Sequence, residues 1–527
     1  MSIAESIFKL RTKEGLSQEK LAEVLGVSRQ AVQKWEAGAA QPDIGKMVSL
    51  ARHFNISLDD LLLDSSVRIK EEYSSHKKIM PSYEKLPGWE SYSCELETEY
   101  RQCVEEGLDI EKYRDLFMAV AKMANDHRKK KIADVLFDIV LNAPLRADYK
   151  YNEPSELDEI RSLRKKYEFK RRELSREQLE DRIYGAWLGR VCGCMLGKTV
   201  EGIRSVELIP LLKASNNYPM HRYILSTDPT AELLETCKFP LKNTCYIDRC
   251  DGMPSDDDTN YTVMANLLIE RYGRDFTPAN VAELWLASQP KYAYCTAERV
   301  AFVNFTNGFY PPDSACFKNP YREWIGAQIR ADYFGYINPG DPEKAAEMAW
   351  RDASISHIKN GIYGEMFVAA MIACAAVTEN IRDIILGGLA EIPATSRLYE
   401  QIHYILDFHD AGKSVEDCFA DIHRRYDEND GHDWCHTISN AEIVTAALLY
   451  GGGDYGRSTC LAVQTGFDTD CNGATVGSIL GMRRGEGCIG KEWSGPMRDK
   501  LDTDIFKVGK VRISEMAKKT MKHILSK

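Results

Sequence analysis

Apolar residues recur at three- and four-residue intervals along most of this chain, and alternating β-type runs are scarce, so the pattern predicts an all-α protein. In the first 64 residues the periodic segments are short. Ile3, Ile7, Phe8 and Leu10 outline a helix ending near Gly15. Ser17 stands where a helix over 18–25 needs its cap, with Gly26 as the turn that ends it. Ser28 caps a third helix over 29–37. Asp43 and Ser57 precede two shorter segments, 44–54 and 58–63. The spacing predicts a five-helix N-terminal unit.

Residues 65–87 are polar and hold two prolines, the composition of a linker. Residues 88–178 read as helical, with amphipathic stretches at 113–121 and 132–141. The basic run Arg164, Lys165, Lys166, Lys170, Arg171 and Arg172 reads as a solvated helix face. From Ser175 onward, long periodic segments (183–196, 261–272, 345–355, 363–377, 442–450 and 474–482) alternate with Gly- and Pro-containing loops. They predict one large helical domain. The expected organisation is a unit at 1–66, a linker and helical intermediate region at 67–178, and the large domain at 179–527.

Length and composition narrow the class. A chain of 527 residues exceeds one ordinary domain, and 44% apolar with 28% charged residues describes a globular protein. The longest apolar stretch, 366–377, is too short to span a bilayer. The N-terminus lacks the basic and apolar regions of a signal peptide. Fifteen scattered cysteines then read as reduced thiols in a cytoplasmic protein, of the bacterial cytoplasm or nucleoid. The net charge of −11 excludes wholesale attraction to nucleic acid but leaves room for a small DNA-reading unit with a local basic face.

The string from Leu16 to Glu36 (LSQEKLAEVLGVSRQAVQKWE) resembles the helix-turn-helix of the phage-repressor (Cro-type, XRE) family. Small Ala22 and turn-forming Gly26 permit the close crossing of two helices that presents the third to a major groove. Arg29, Gln30 and Lys34 would face base edges, where Arg suits guanine and Gln adenine, and Ser28 at the start of that helix is a further expected DNA contact. Gln18 would touch phosphate. The unit is nearly neutral, so DNA binding through residues 1–64 would need a homodimer on a two-fold site.

Two carboxylate clusters lie more than two hundred residues apart. Asp256, Asp257 and Asp258 open one periodic segment, and Asp468 and Asp470 precede the small-residue run from Asn472 to Ser478. Like charges crowded at a helix start call for cations, and an all-oxygen donor set suits Mg²⁺ or Mn²⁺. The small-residue run lets that helix pack tightly on a neighbour and hold the pair rigidly. Histidines and cysteines at zinc-ligand spacing are too sparse, the nearest being Cys192/Cys194 and Cys435/His436.

Taken in order, four motifs make residues from about 180 to 520 resemble the ADP-ribosylglycohydrolase family, the type that includes the dinitrogenase reductase-activating glycohydrolase. They are Gly185-Ala-Trp-Leu-Gly189 with Gly193, Gly197 and Val200-Glu201; then Asp257-Asp258-Thr259; then Ser356-His357 with the segment from Gly361 to Ala370; and last the segment from Gly466 to Gly481. The resemblance implies that Asp257, Asp258, Asp468 and Asp470 hold two Mg²⁺ ions, with Asp256 where the family usually has a metal-binding threonine. Cys471 stands where the family has another threonine, and Cys194 where it commonly has an aspartate. A soft sulfur is a poor Mg²⁺ ligand. The implied reaction is hydrolysis at ribose C1″ of an ADP-ribosylated substrate, with Glu201 or a metal-site aspartate such as Asp258 taking the proton. Taken alone, Glu201 also fits a salt-bridged surface carboxylate, and His357 a satisfied core histidine.

The polar-aromatic loops at 319–330 and 336–341 are candidate cleft walls, with His357 near substrate and Tyr336 or Tyr363 stacking a base; ordinary loop packing is the even alternative. The combined expectation is an ADP-ribosylglycohydrolase fused to a DNA-binding transcriptional regulator. The alternative is a repressor that senses ADP-ribose or a related sugar nucleotide without turnover.

Overall fold

The computed structural model describes residues 3–56, 58, 61, 83 and 88–526. Two compact units divide the chain, residues 1–82 and 83–527. Among the described residues there are helices and isolated β-bridges but no strand, so the protein is all-α.

In the first unit the caps act as the sequence implies. Ser17 Oγ accepts the Lys20 amide at 3.1 Å at the start of helix Gln18–Leu25, and Gly26 closes that helix at φ 63°. Ser28 Oγ accepts the Ala31 amide at 3.2 Å before helix Arg29–Glu36, and Asp43 caps Ile44–His53. Ile7, Leu21, Ala22, Leu25, Val32, Trp35, Leu50 and Phe54 bury one shared core. The expected fifth helix falls largely on residues outside those described, as does nearly all of the expected linker.

The second unit is built around two antiparallel helices, Arg176–Lys198 and Thr469–Arg484. Each carries glycine at every fourth position, and the two series meet face to face. A Cβ placed on Gly185, Gly189 or Gly193 would lie 2.0–2.4 Å from the backbone of Gly485, Gly477 or Gly473, and one on Gly197 would strike Thr469 and Asp470. Spacing of four puts each series on a single helical stripe, so the backbones touch without intervening side chains. The tight packing expected for the small-residue run is thus present, and its partner is the other glycine-bearing helix. Helix Lys359–Ala375 is buried from Asn360 onward and fills the interior beside them.

Residues 88–178 pack into the second unit. Arg322 donates to Glu99 at 3.1 Å and also to Glu106, while Arg397 bridges Glu153 at 2.9 Å and Glu323 at 2.7 Å. All these groups are largely buried, so removing one partner would strand a charge at a cost of about 3–5 kcal/mol. Helices form at Arg114–Ala121 and His127–Leu141, close to the expected stretches. The basic run is different. After Leu157–Ser162 the chain has no helix until Arg176, so these residues form an extended strap and no helix face. Arg164 pairs with Glu391 at 2.7 Å, Arg171 donates to the Gly340 carbonyl, and Arg172 pairs with Glu379 at 2.5 Å. Partners supplied by distant residues override the local pattern.

Candidate metal centre and active site

The helix Asp257–Tyr272 begins beside the C-terminal end of helix Arg176–Lys198. Asp256 is its cap, accepting the Asp258 amide at 2.9 Å through one oxygen and Lys198 Nζ at 2.7 Å through the other. Asp470 lies in the first turn of Thr469–Arg484. Glycine contact between Gly197 and the 469–470 backbone draws that turn onto the end of the first helix. As a result Asp256, Asp257, Asp258 and Asp470 each offer a carboxylate oxygen within 4.8 Å of the others.

Asp468 is buried beside this group but outside that four-carboxylate set, and its side chain caps no amide. The turn before it is tight. Gly466 has φ 83°, and Phe467, fully buried against His423, is held at φ 59°. The Asp468 amide is 3.3 Å from Asn440 Oδ1, which also accepts Asn472 Nδ2 at 2.8 Å.

Two cations inside the protein hold the cluster. Arg190 is fully buried and donates to Asp258 Oδ1 at 3.0 Å, to Asp332 Oδ2 at 2.7 Å and to the Ile329 carbonyl at 2.6 Å. Burial opposes the charge of Lys198, yet Asp256 and then Asp470 hold its ammonium above the ordinary lysine range. Neither cation appeared among the sequence candidates. A signal for them exists: Arg190, Cys194 and Lys198 fall at i, i+4 and i+8, one helical stripe, next to the glycine stripe.

The carboxylates remain under-compensated. Burial, followed by Asp468, raises Asp470; burial raises Asp258 despite Arg190; and burial with Asp256 pushes Asp257 up to about 6. Asp258 Oδ2 and Asp470 Oδ1 are buried without a hydrogen-bond partner in the protein. Buried acceptors of this kind are costly unless something donates to them or coordinates them. An all-carboxylate donor set with two orphaned oxygens fits a hard divalent cation. Cys471 Sγ lies with Asp258 and Asp470, and Cys194 Sγ with Asp256 and Asp258. Burial and then the neighbouring carboxylates push both thiols well above the usual range, which keeps them protonated.

Glu201 is solvent-exposed on the turn after helix Arg176–Lys198. Its carboxyl is held well above the usual range, first by the Asp470 charge, then by desolvation, then by Asp256. An exposed residue whose carboxyl feels the charge of the cluster suits proton transfer. Asp258, buried and gripped by Arg190, suits ligation.

The expected substrate residues are placed otherwise. Tyr336 is fully buried, its Oη shared with Ser478 Oγ at 2.6 Å and the Ala186 carbonyl at 3.2 Å. Tyr363 is fully buried and donates to the Pro154 carbonyl. Neither ring has a face open for stacking. His357 is buried with Nδ1 at 2.8 Å from Ser356 Oγ, and burial, then Arg330, drives its pKa well below the ordinary histidine value. The residues from Tyr321 to Asn338 are buried throughout, so the first polar-aromatic loop and the start of the second are interior packing, while Asp341 is exposed. Arg330 pairs internally with Asp352 and Glu298.

In the first unit Ser28, Arg29, Gln30 and Lys34 are exposed along one helix, although the Ser28 hydroxyl is engaged as a cap. Arg29 is 3.6 Å from Glu19. Gln18 Nε2 donates to Glu36 Oε2 at 2.7 Å, and Arg11 donates to the other oxygen of Glu36 at 2.5 Å. Gln18 is therefore fixed by Glu36, and its phosphate contact would have to be made from that position.

Fold and site together define a helical protein with a buried carboxylate centre and a separate helix-turn-helix unit. The chain belongs to the ADP-ribosylglycohydrolase family, whose family model matches residues 175–524. The helix-turn-helix family model matches residues 7–61. The N-terminal region is 32% identical over 88 residues to the HTH-type transcriptional activator BcrR of Enterococcus faecalis, 17% of this chain and 43% of that protein. It is 40% identical over 58 residues to the SPbeta prophage-derived uncharacterized HTH-type transcriptional regulator YonR of Bacillus subtilis, 11% of this chain and 54% of that one. The chain thus spans about half the length of these curated relatives. A solved structure described as an ADP-ribosylglycohydrolase-related protein complex covers 66% of this chain and 99% of its own, at 16% identity and TM-score 0.43. No helix among the described residues is long and apolar enough to cross a membrane.

Proposed function

We propose that the second unit hydrolyses the glycosidic bond at ribose C1″ of an ADP-ribosylated substrate with Mg²⁺, and that the first unit binds DNA as a sequence-specific transcriptional regulator in the cytoplasm. The observation that carries the enzymatic reading is the meeting of Asp256, Asp257 and Asp258 with Asp470, two of whose oxygens have no partner in the protein. Asp256, Asp257, Asp258 and Asp470, with Asp468 beside them, would hold two Mg²⁺ ions; Mn²⁺ has the same donor preference. When bound, the ions supply positive charge that offsets the carboxylates and a template for vicinal ribose hydroxyls.

The chain's own residues would do the rest. Glu201, facing water and near the cluster, takes a proton from the attacking water as the C1″ bond breaks. Arg190 fixes Asp258 from behind, and Lys198 fixes Asp256. Arg29, Gln30 and Lys34 read base edges, as their exposure on one helix permits.

Incubation with ADP-ribosylated substrates of several linkages in Mg²⁺ tests the enzymatic claim. Wild type should release ADP-ribose, Asp257→Ala should lose most of that activity, and Glu201→Gln should lose it while still binding metal. Equal lack of release by wild type and Asp257→Ala across all linkages would remove the claim. A second reading, a sensor that binds ADP-ribose without turnover, is favoured by the thiols of Cys194 and Cys471 within the carboxylate group. Calorimetric binding of ADP-ribose without hydrolysis, together with ligand-dependent operator binding, would select it.

A further inference from the structure

Residues 244–250 form a short loop whose start is tied to the candidate site. Thr244 Oγ1 donates to the Thr199 carbonyl at 2.5 Å, between Lys198 and Glu201. The loop then makes a turn closed by the Arg249 amide on the Tyr246 carbonyl at 2.9 Å. The turn is anchored on both sides. Asp248 accepts the Ser226 amide at 2.8 Å and its hydroxyl at 2.6 Å, and Tyr246 Oη donates to the Leu241 carbonyl at 2.6 Å.

Cys245 and Cys250 flank this turn, one immediately before and one immediately after. Tyr246 and Cys250 have extended backbone, with φ −102° and −95°. Closing a four-residue turn brings its ends within about 7 Å, and the residues just outside it then stand opposite each other. A disulfide needs a Cα separation of about 4.4–6.8 Å. Both cysteines are partly exposed, and neither is in a disulfide in this structure. After burial, the neighbouring Cys245 raises the Cys250 thiol, in keeping with their places on either side of the turn.

We propose that Cys245 and Cys250 are a redox-modification site, closing to an intramolecular disulfide by exchange with a small disulfide oxidant. One cysteine thiolate attacks a sulfur of oxidised glutathione, forming a mixed disulfide and releasing one glutathione thiol. The second cysteine thiolate attacks the protein sulfur of that mixed disulfide, forming the Cys245–Cys250 bond and releasing the second glutathione. Two protein S–H bonds and one S–S bond are lost; one protein S–S bond and two glutathione S–H bonds are made. The staple locks the loop whose first residue holds the chain between Lys198 and Glu201, and which leads six residues later into Asp256.

Trypsin cuts after Lys242 and Arg249, so the two cysteines fall in different peptides, 243–249 and 250–271. Full-length native protein would be incubated with oxidised glutathione, alkylated, digested and analysed by mass spectrometry with and without reduction. The expected product is the 243–249/250–271 linked pair, predominant among all disulfides of the fifteen cysteines and separated by reduction. It should form far less selectively in the urea-unfolded chain, and Cys250→Ser should leave Cys245 alkylated or carrying one glutathione. Recovery of Cys245 and Cys250 only in separate peptides, linkage of either to another cysteine, or equal linkage in the unfolded chain would overturn the proposal.

Discussion

Gly193 and Gly473 touch backbone to backbone: a Cβ added to Gly193 would lie 2.0 Å from the Gly473 carbonyl oxygen. This contact belongs to the seam that holds the two glycine-bearing helices, and the seam places Asp470 at the end of the helix whose Arg190 and Lys198 hold Asp258 and Asp256.

Gly193→Ala should therefore lower stability by about 3 kcal/mol, because the obstructing atoms are backbone and cannot rotate away. The same substitution at Gly487, where a Cβ meets nothing within 4 Å, should change stability by less than about 0.5 kcal/mol. Urea unfolding of the two variants measures the difference, and Gly193→Ala should also weaken Mn²⁺ binding.

Asp470→Asn should separate stability from metal binding. In the metal-free protein it removes one of four crowded carboxylates, so the melting temperature should rise, by the equivalent of about 1 kcal/mol. Mn²⁺ should raise the melting temperature of wild type and not that of the variant. Equal Mn²⁺ shifts would show that Asp470 is no ligand.

A pH dependence follows from His436. Burial, then the charge of His432, lowers its pKa to about 3 from the ordinary 6.5, against the opposing pull of Glu105 and Glu323. The folded protein keeps this ring neutral while the unfolded chain protonates it. Stability due to this group is thus full above pH 6.5 and falls toward pH 3, by about 1.4 kcal/mol per pH unit in that window. His436 Nδ1 accepts the Ile438 amide at 3.1 Å, a role an Asn cap can fill. His436→Asn should flatten the fall in stability between pH 6 and 4, measured by denaturant unfolding at each pH.

For the proposed DNA-reading surface, Gln30→Ala should relax preference at one base-pair position and cost about 1–3 kcal/mol on the selected operator. Gln18→Ala should weaken binding to all sequences alike and also free Glu36, which Arg11 then holds alone. Sequence selection followed by fluorescence anisotropy at several salt concentrations distinguishes the two outcomes.

Much of the molecule was legible in the chain. Ser17, Gly26, Ser28 and Asp43 act within a few residues of themselves, so their capping roles follow from local backbone chemistry. The all-α character follows for the same reason, since apolar periodicity is a property of neighbours. The two carboxylate clusters were visible as charge crowding that folding had to resolve.

Only the tertiary structure decided which charges meet. Arg190 and Lys198 looked like ordinary helix residues until the start of helix Asp257–Tyr272 packed beside them and brought Asp258 and Asp256 within reach. Tyr336, Tyr363 and His357 looked available for a ligand, and packing buried them against Ser478, Pro154 and Ser356. The basic run at 164–172 looked like a helix face, and Glu391 and Glu379, more than two hundred residues away, drew it out as a strap. Sequence determines what each segment can do alone. Burial and pairing depend on partners remote in the chain, and those set the electrostatics of the site.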